Sequence, residues 1–303
     1  MAGVITTGNH PKALWPGINA WFGVSYKEYP QEFSQVFDET SSNQAYEEDV
    51  EASGFGLAPV KLQGQGVSYD SHTQGYTTRY THVAYALGYI VTKEELADNL
   101  YEKVSKSRAR SLAFSMRQTK EVVFANIFNN GFDTNYAGGD GLPLFSASHT
   151  SLNGTWSNIL SVAADLSEAS LEDQLVNISL ATNSRGLRIA LTGQKLIVPP
   201  QEVFNATRIV KSTLQNDTAN NAVNAVKAMG LLPGGIVPWH YLTDPDAWFI
   251  KTDAPEGLKY FNRQAIEFTK DGDFDTENAK AKAYERYSGG WTDPRAVYGS
   301  AGA

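Results

Sequence analysis

The chain has 303 residues, which allows one large or two medium domains and a sizeable core. Its net charge is -8 without a Lys/Arg cluster, which argues against a protein that reads nucleic-acid sequence through a basic patch. With no cysteine, disulfides, zinc–thiolate sites and thiol nucleophiles are excluded, and no apolar run is long enough to span a membrane. Charged residues make up only 19%, a fraction that suits a chain hiding surface in an assembly. The first residues have neither the basic start nor the apolar core of a signal peptide.

Residues 1–48 show no sustained periodicity but are rich in aromatics, which a disordered tail would lack. One reading is an irregular layer on the chain's own domain. The reading preferred here is an arm that crosses to a neighbouring subunit, with Trp15, Trp21, Phe22, Tyr26 and Tyr29 as anchors. Glu47, Glu48, Asp49 and Glu51 then form an acidic run expected to be a solvated face. From Gly54 the residues take strand character. Val60–Tyr69 and Tyr76–Val91 flank a turn over 70–75 and predict a long β-hairpin within residues 49–91. Tyr76, Tyr80 and His82 alternate with Thr77, Arg79 and Thr81. Two polar faces leave such a hairpin marginal alone, so Tyr76, Arg79, Tyr80 and His82 are expected to contact another subunit.

Thr92 to Asn130 passes without glycine or proline. Thr92 with Glu95 reads as a capping box; Leu96, Leu100 and Val104 form one apolar stripe at helical spacing, and Leu112, Met116, Val123 and Ile127 form another. This predicts a helix roughly 50–60 Å long, or two helices with an unmarked break. A coiled coil is disfavoured, because the heptad register from Leu96 puts Lys103, Ser107 and Arg110 on the seam. A glycine-rich turn follows over 129–141. A second helix is expected over 167–183, with Leu171, Leu175 and Ile178 on one face. Leu196-Ile197-Val198 reads as a buried strand, and Pro199-Pro200 opens a third helix with Val203, Thr207, Val210 and Leu214 inward. Residues 216–235 look like an irregular excursion. Strands are expected at 248–250, 264–269 and 279–287.

No motif supplies an active site. There is no Gly-x-Ser-x-Gly, no His-Glu-x-x-His and no phosphate-binding glycine loop. Ser148 and His149 are adjacent, but sequence neighbours seldom aim at each other as nucleophile and base, so a loop hydrogen-bonding role is expected. Asp271, Asp273 and Asp275 have the spacing of a calcium loop. The glycine and glutamate such a loop needs are replaced by Thr276 and Lys282, so an acidic turn is expected. No cofactor or metal is expected.

The order of elements (arm, long hairpin, long helix, α+β body, excursion, closing strands) resembles the major capsid proteins of tailed bacteriophages, with the Hong Kong 97 shell fold. Gly141-Leu142-Pro143-Leu144-Phe145, Leu196-Ile197-Val198-Pro199-Pro200 and Trp291-Thr292-Asp293-Pro294-Arg295 are similar to phrases of that family. The resemblance implies an α+β fold with an N-terminal arm (1–48) and an extended loop (49–91). It further implies a peripheral domain with the spine helix (92–190 and 251–303) and an axial domain (191–250). It implies a non-enzymatic subunit whose partner is itself, in pentamers and hexamers of a closed icosahedral shell around double-stranded DNA. Separate scaffolding, portal and decoration or cement proteins would be further partners, and the virion its location. Lys61 lies in the extended loop, but no motif identifies a cross-linking partner for it. The alternatives are an encapsulin-like compartment and, from another class, a serine hydrolase using Ser148 and His149.

Overall fold

The computed structural model describes residues 22–28, 30–97, 101–215, 222–273 and 275–303, and only the backbone of 96–97 and 101–106. A short helix, α1, covers 22–28. Four strands follow: β1 (Asp38–Ser41), β2 (Tyr46–Ala52), β3 (Gln74–Thr81) and β4 (Val83–Val91). The predicted long helix is two helices, α2 (Lys93–Ala97) and α3 (Tyr101–Asn129). Both guanidinium Nη atoms of Arg108 donate to the Glu95 carboxylate, at 3.0 and 2.8 Å. Thirteen residues of straight helix would set those side chains about 20 Å apart along the axis, so α2 and α3 are not one rod. Half of the predicted capping box is present, the Glu95 N–H donating to Thr92 Oγ1 at 3.4 Å. The stripe at Leu96, Leu100 and Val104 lies outside the described side chains.

After β5 (His149–Ser151) and β6 (Gly154–Trp156) comes α4 (Glu168–Ser179), capped reciprocally by Ser167 and Ser170. The chain continues through β7 (Gly193–Val198), α5 (Val203–Lys211), α6 (Ala225–Ala228), β8 (Ile236–Pro238), β9 (Trp248–Thr252), β10 (Leu258–Gly272), β11 (Ala279–Trp291) and β12 (Val297–Ser300). Two four-stranded sheets result, in the orders β1-β10-β11-β4 and β12-β9-β7-β8. The spine helix α3 lies on the first, against β11 and β4. Ala109, Leu112, Ala113, Met116, Phe124, Ala125 and Phe128 form its buried stripe at helical spacing.

The middle of that stripe is charged, and each charge has a partner. Lys120 Nζ lies 2.6 Å from Glu285 Oε2, Arg117 Nη1 donates to the Tyr26 carbonyl at 2.8 Å, and Glu121 accepts the N–H groups of Glu32 and Phe33 at 2.9 and 3.1 Å. Burial pushes the Glu285 carboxyl above its ordinary range, and Lys120 pulls it back. Arg117 and Lys120 are buried ties to α1 and to β11. Gly289 on β11 lets α3 come close: a Cβ there would sit 2.1 Å from Phe124 Cε1.

The second sheet differs from the expected 191–250 block. Its edge strand β12 comes from the C-terminal end, and α4 packs on the same core through Leu171, Leu175 and Ile178. The largest core runs through both sheets, joining Phe124 and Phe128 to Ile197, Val237, Trp239 and Phe249. The face of α5 is also rotated from its expected position. Ala206 and Ile209 are buried, Val203 and Val210 partly so, while Leu214 is exposed.

Candidate assembly interface

The hairpin is not the predicted pair. Tyr76–Val91 is broken at His82: β3 pairs antiparallel with β2, and β4 joins β11 in the first sheet. Among residues 53–73 there is no strand. The acidic run is therefore the strand β2, alternating in and out, and not a solvated face. Asp49 turns inward, accepting from Lys259 Nζ at 2.6 Å and Thr292 Oγ1 at 2.8 Å. Glu47 accepts from Ser42 Oγ at 2.5 Å. Burial beside Asp293 raises the Glu51 carboxyl, which Arg295 partly offsets.

The β3 face that carries Tyr76, Thr78 and Tyr80, with His82 just beyond it, is docked on the chain's own body. Tyr80 is buried, its hydroxyl 2.6 Å from Thr292 Oγ1, and its ring packs on Phe261. Tyr76 donates its hydroxyl to the Thr292 carbonyl at 3.0 Å. The glycine-rich turn closes on this face: a Cβ on Gly139 would lie 2.3 Å from Thr78 Oγ1. His82 sits between two hydroxyls, Ser42 Oγ at 3.0 Å and Ser288 Oγ at 2.9 Å. So Tyr76, Tyr80 and His82, expected at a neighbour, are covered by their own chain. Only Arg79 faces out, pairing with Glu48 at 2.9 Å and stacking on the Tyr46 ring.

Desolvation and the nearby Arg286 hold the His82 imidazole below its ordinary value of 6.5, with Glu47 opposing and Arg263 adding a little. A depressed histidine contributes stability that is present above the unfolded value and lost as pH falls through the folded one. Wild type should therefore lose more thermal stability than His82→Gln between pH 6.5 and about 5. Parallel melting curves check this, and identical pH slopes would remove His82 as the cause.

The arm divides in the same way. Trp15, Trp21 and Tyr29 lie outside the described residues. Phe22 and Tyr26, on α1, are buried against α3 and the first sheet, with Phe22 stacked on Phe268 at 4.7 Å between ring centres. These two aromatics anchor the arm to its own spine helix, which corrects their expected place at a neighbour.

What remains outward is the loop between β2 and β3. Its base is tied: the Gly56 and Ser71 N–H groups both donate to Asp70 at 2.8 Å, and Ser53 N–H donates to the Thr73 carbonyl at 3.0 Å. Arg185 reaches the Asp70 carboxylate and the Ser71 carbonyl from beyond α4. Beyond that base, Phe55, Leu57, Val60, Leu62, Val67 and Tyr69 are all exposed, Tyr69 at 94% and Val60 at 87%. So many large apolar side chains on one short loop mark a binding surface. Sequence reasoning assigned half of this segment to a strand and placed no contact residue in it. The usable signal was the apolar residues set among Gly54, Gly56, Pro59, Gly64 and Gly66, which oppose a strand.

Ser148 and His149 do not form a nucleophile–base pair. His149 is buried, with Nδ1 2.6 Å from Asp140 Oδ2 and Nε2 3.2 Å from Asn158 Oδ1, and it stacks on Trp156. Ser148 Oγ contacts Ser146 Oγ at 3.5 Å. Both imidazole nitrogens are engaged elsewhere, so no base addresses Ser148. Near the acidic turn, Asp273 pairs with Lys280 at 2.5 Å. Among the described residues no cluster of three His, Asp or Glu could hold a metal ion.

The described chain thus combines a helix α1 tied to α3, a strand pair β2–β3 with an apolar outward loop, and two sheets sharing one core. Residues 75–300 match the family model described as phage capsid protein, and the chain belongs to that family. It is a structural, shell-forming subunit with the Hong Kong 97-type fold. The structure is similar to that of Mycobacterium phage Patience, with TM-score 0.55 and 12% identity, over 99% of this chain and 89% of that one. It is similar to the capsid of cyanophage P-SCSP1u (TM-score 0.52, 9% identity, 88% of this chain and 86% of that one). It is also similar to a virus-like particle from Pyrococcus furiosus (TM-score 0.51, 12% identity, 94% of this chain and 98% of that one). At such identities the likeness establishes the fold, and the family match favours a phage capsid over a cargo compartment. No curated protein matches the sequence.

Proposed function

We propose that this chain is the major capsid protein of a tailed phage, building pentamers and hexamers of an icosahedral shell around packaged double-stranded DNA. The observation that carries this is the apolar loop over 55–69 on a chain of the phage capsid family: among the described residues it has no cover, which a neighbour would supply. The net charge of -8 suits a shell that surrounds DNA without gripping it. The engagement of both His149 nitrogens supports a subunit that is not an enzyme. Portal, scaffolding and cement proteins complete the set of partners, with the hairpin's Arg79 and the loop as the contact region. In this reading 1–48 is the arm, 49–91 the extended loop, and the first and second sheets the peripheral and axial parts.

Negative-stain microscopy of the purified chain tests the reading. Closed particles of uniform diameter are expected. A protein that stays monomeric at high concentration would overturn it.

A further inference from the structure

Two features of the second sheet's helices do not meet among the described residues of one chain. The first is a groove of about 420 Å³ between α4 and α6. Its walls are Leu175, Val176, Leu180, Met229 and Leu231, with Glu172 on its rim. Val176, Leu180 and Met229 are 56%, 52% and 71% exposed, so among the described residues the groove has no cover. The second is the outer stripe of α5. Phe204, Arg208 and Lys211 stand at i, i+4 and i+7, opposite the buried Ala206 and Ile209. Phe204 is 75% exposed and forms no part of the groove wall.

Their charges are complementary. Helix α4 carries Glu168, Glu172 and Asp173 and no basic residue, while the outer stripe of α5 carries two cations and no acid. Among the described residues neither Arg208 nor Glu172 has an ion-pair partner. An aromatic projection flanked by cations and an apolar groove rimmed by acid are two different patches. A contact between different patches on identical chains is heterologous, and repeated by rotation it closes a ring.

We propose that Phe204 of one copy inserts into the α4–α6 groove of the next copy, with Arg208 and Lys211 meeting the acidic face of α4, and that this head-to-tail contact closes the capsomer ring. The inference rests on the shell-subunit reading and adds the residues of one ring contact. A buried aromatic at the centre of a patch is where interface energy concentrates. The pairing of charges around it sets register and excludes groove-to-groove dimers.

The test places a photoreactive phenylalanine analogue at 204 and maps the intermolecular adduct. The expected adduct lies within 172–180 or 225–231 of a second copy. An adduct elsewhere, or a groove-to-groove dimer, overturns the contact. Alongside it, Phe204→Ala should raise the concentration needed for assembly on the order of tenfold. Arg208→Glu and Glu172→Lys should each do so less strongly, and the double variant should assemble like wild type. All three positions are exposed or half-exposed, so circular dichroism should not change. Wild-type assembly of Phe204→Ala, or charge variants whose losses simply add, would also overturn the contact. The adduct forms in small oligomers too. If wild type gives the expected adduct but no closed particles, the shell reading fails and the contact stands. Closed particles with the adduct elsewhere fail the contact alone.

Discussion

Replacing residues 55–69 with a Gly/Ser segment of equal length is expected to abolish closed shells while leaving a folded, soluble subunit. The six exposed apolar side chains of this loop touch little of their own chain. Fully burying a Val, Leu or Phe side chain contributes about 1.5–3 kcal/mol, so covering half of them would contribute on the order of 5 kcal/mol per subunit. A shell repeats that contact at every subunit. The fold should not register the loss, because the ties at Asp70, Ser71 and Ser53 lie at or beyond the ends of the replaced segment. The same replacement over 77–81 is a different experiment. It removes Thr78 and Tyr80, both buried, Tyr80 against Thr292 and Phe261, and would destabilise the subunit itself. Circular dichroism and negative-stain microscopy on wild type and the 55–69 variant decide the matter. Regular closed particles from the variant would show that the loop is not the intersubunit brace.

The second large effect belongs to Asn158, whose side chain joins two distant stretches of chain, 144–149 and 294–297. It is fully buried. Its Nδ2 donates to the carbonyls of Leu144, Val297 and Pro294 at 2.7, 3.1 and 3.3 Å. Its Oδ1 accepts the Ser146 N–H at 2.9 Å and lies 3.2 Å from His149 Nε2. With Nδ2 held by three carbonyls, Oδ1 can only accept, so Nε2 carries a proton and Nδ1 meets Asp140. Asn158→Leu keeps the volume and removes every one of these bonds. A buried group left without its partner costs about 1–3 kcal/mol, and several are orphaned at once. The expected loss is on the order of 3–5 kcal/mol, read from urea midpoints at unchanged m-value. A loss within about 0.5 kcal/mol, the range of a neutral surface change, would show that the network is dispensable.

Much of the architecture could be read in the chain before any coordinates. The helical period from Leu112 onward, the Ser167 cap, the short strand at Leu196–Val198 and the closing strands all rest on local chemistry: apolar spacing, capping side chains and β-branched runs. Local chemistry does not report partners distant in sequence. Asn158 carries no motif, because its importance lies in carbonyls that tertiary packing brings to it. The alternation Tyr76, Tyr80, His82 against Thr77, Arg79, Thr81 was plain. Whether its aromatic face meets another subunit or the chain's own Thr292 and Ser288 was not.

The contrast is sharpest in the two acidic and apolar segments that begin at Glu47. Composition alone suggests that four acids are solvated and that Val, Leu and Tyr near a turn are strand residues. The folded chain does the reverse. Asp49 is turned inward because Lys259 and Thr292 wait there, more than two hundred residues away. The apolar residues of 55–69 stay outside, with no surface among the described residues to cover them. Periodicity and end signals along the chain by themselves determined the helical stretch from Leu112 and the closing strands, and the resemblance to phage capsid proteins pointed to the shell-protein class. The tertiary structure decided which strand pairs with β3, which aromatics are already covered, and which surface is left for a neighbour. Those depend on contacts between distant segments, and a contact's free energy is set by the environment the whole fold creates.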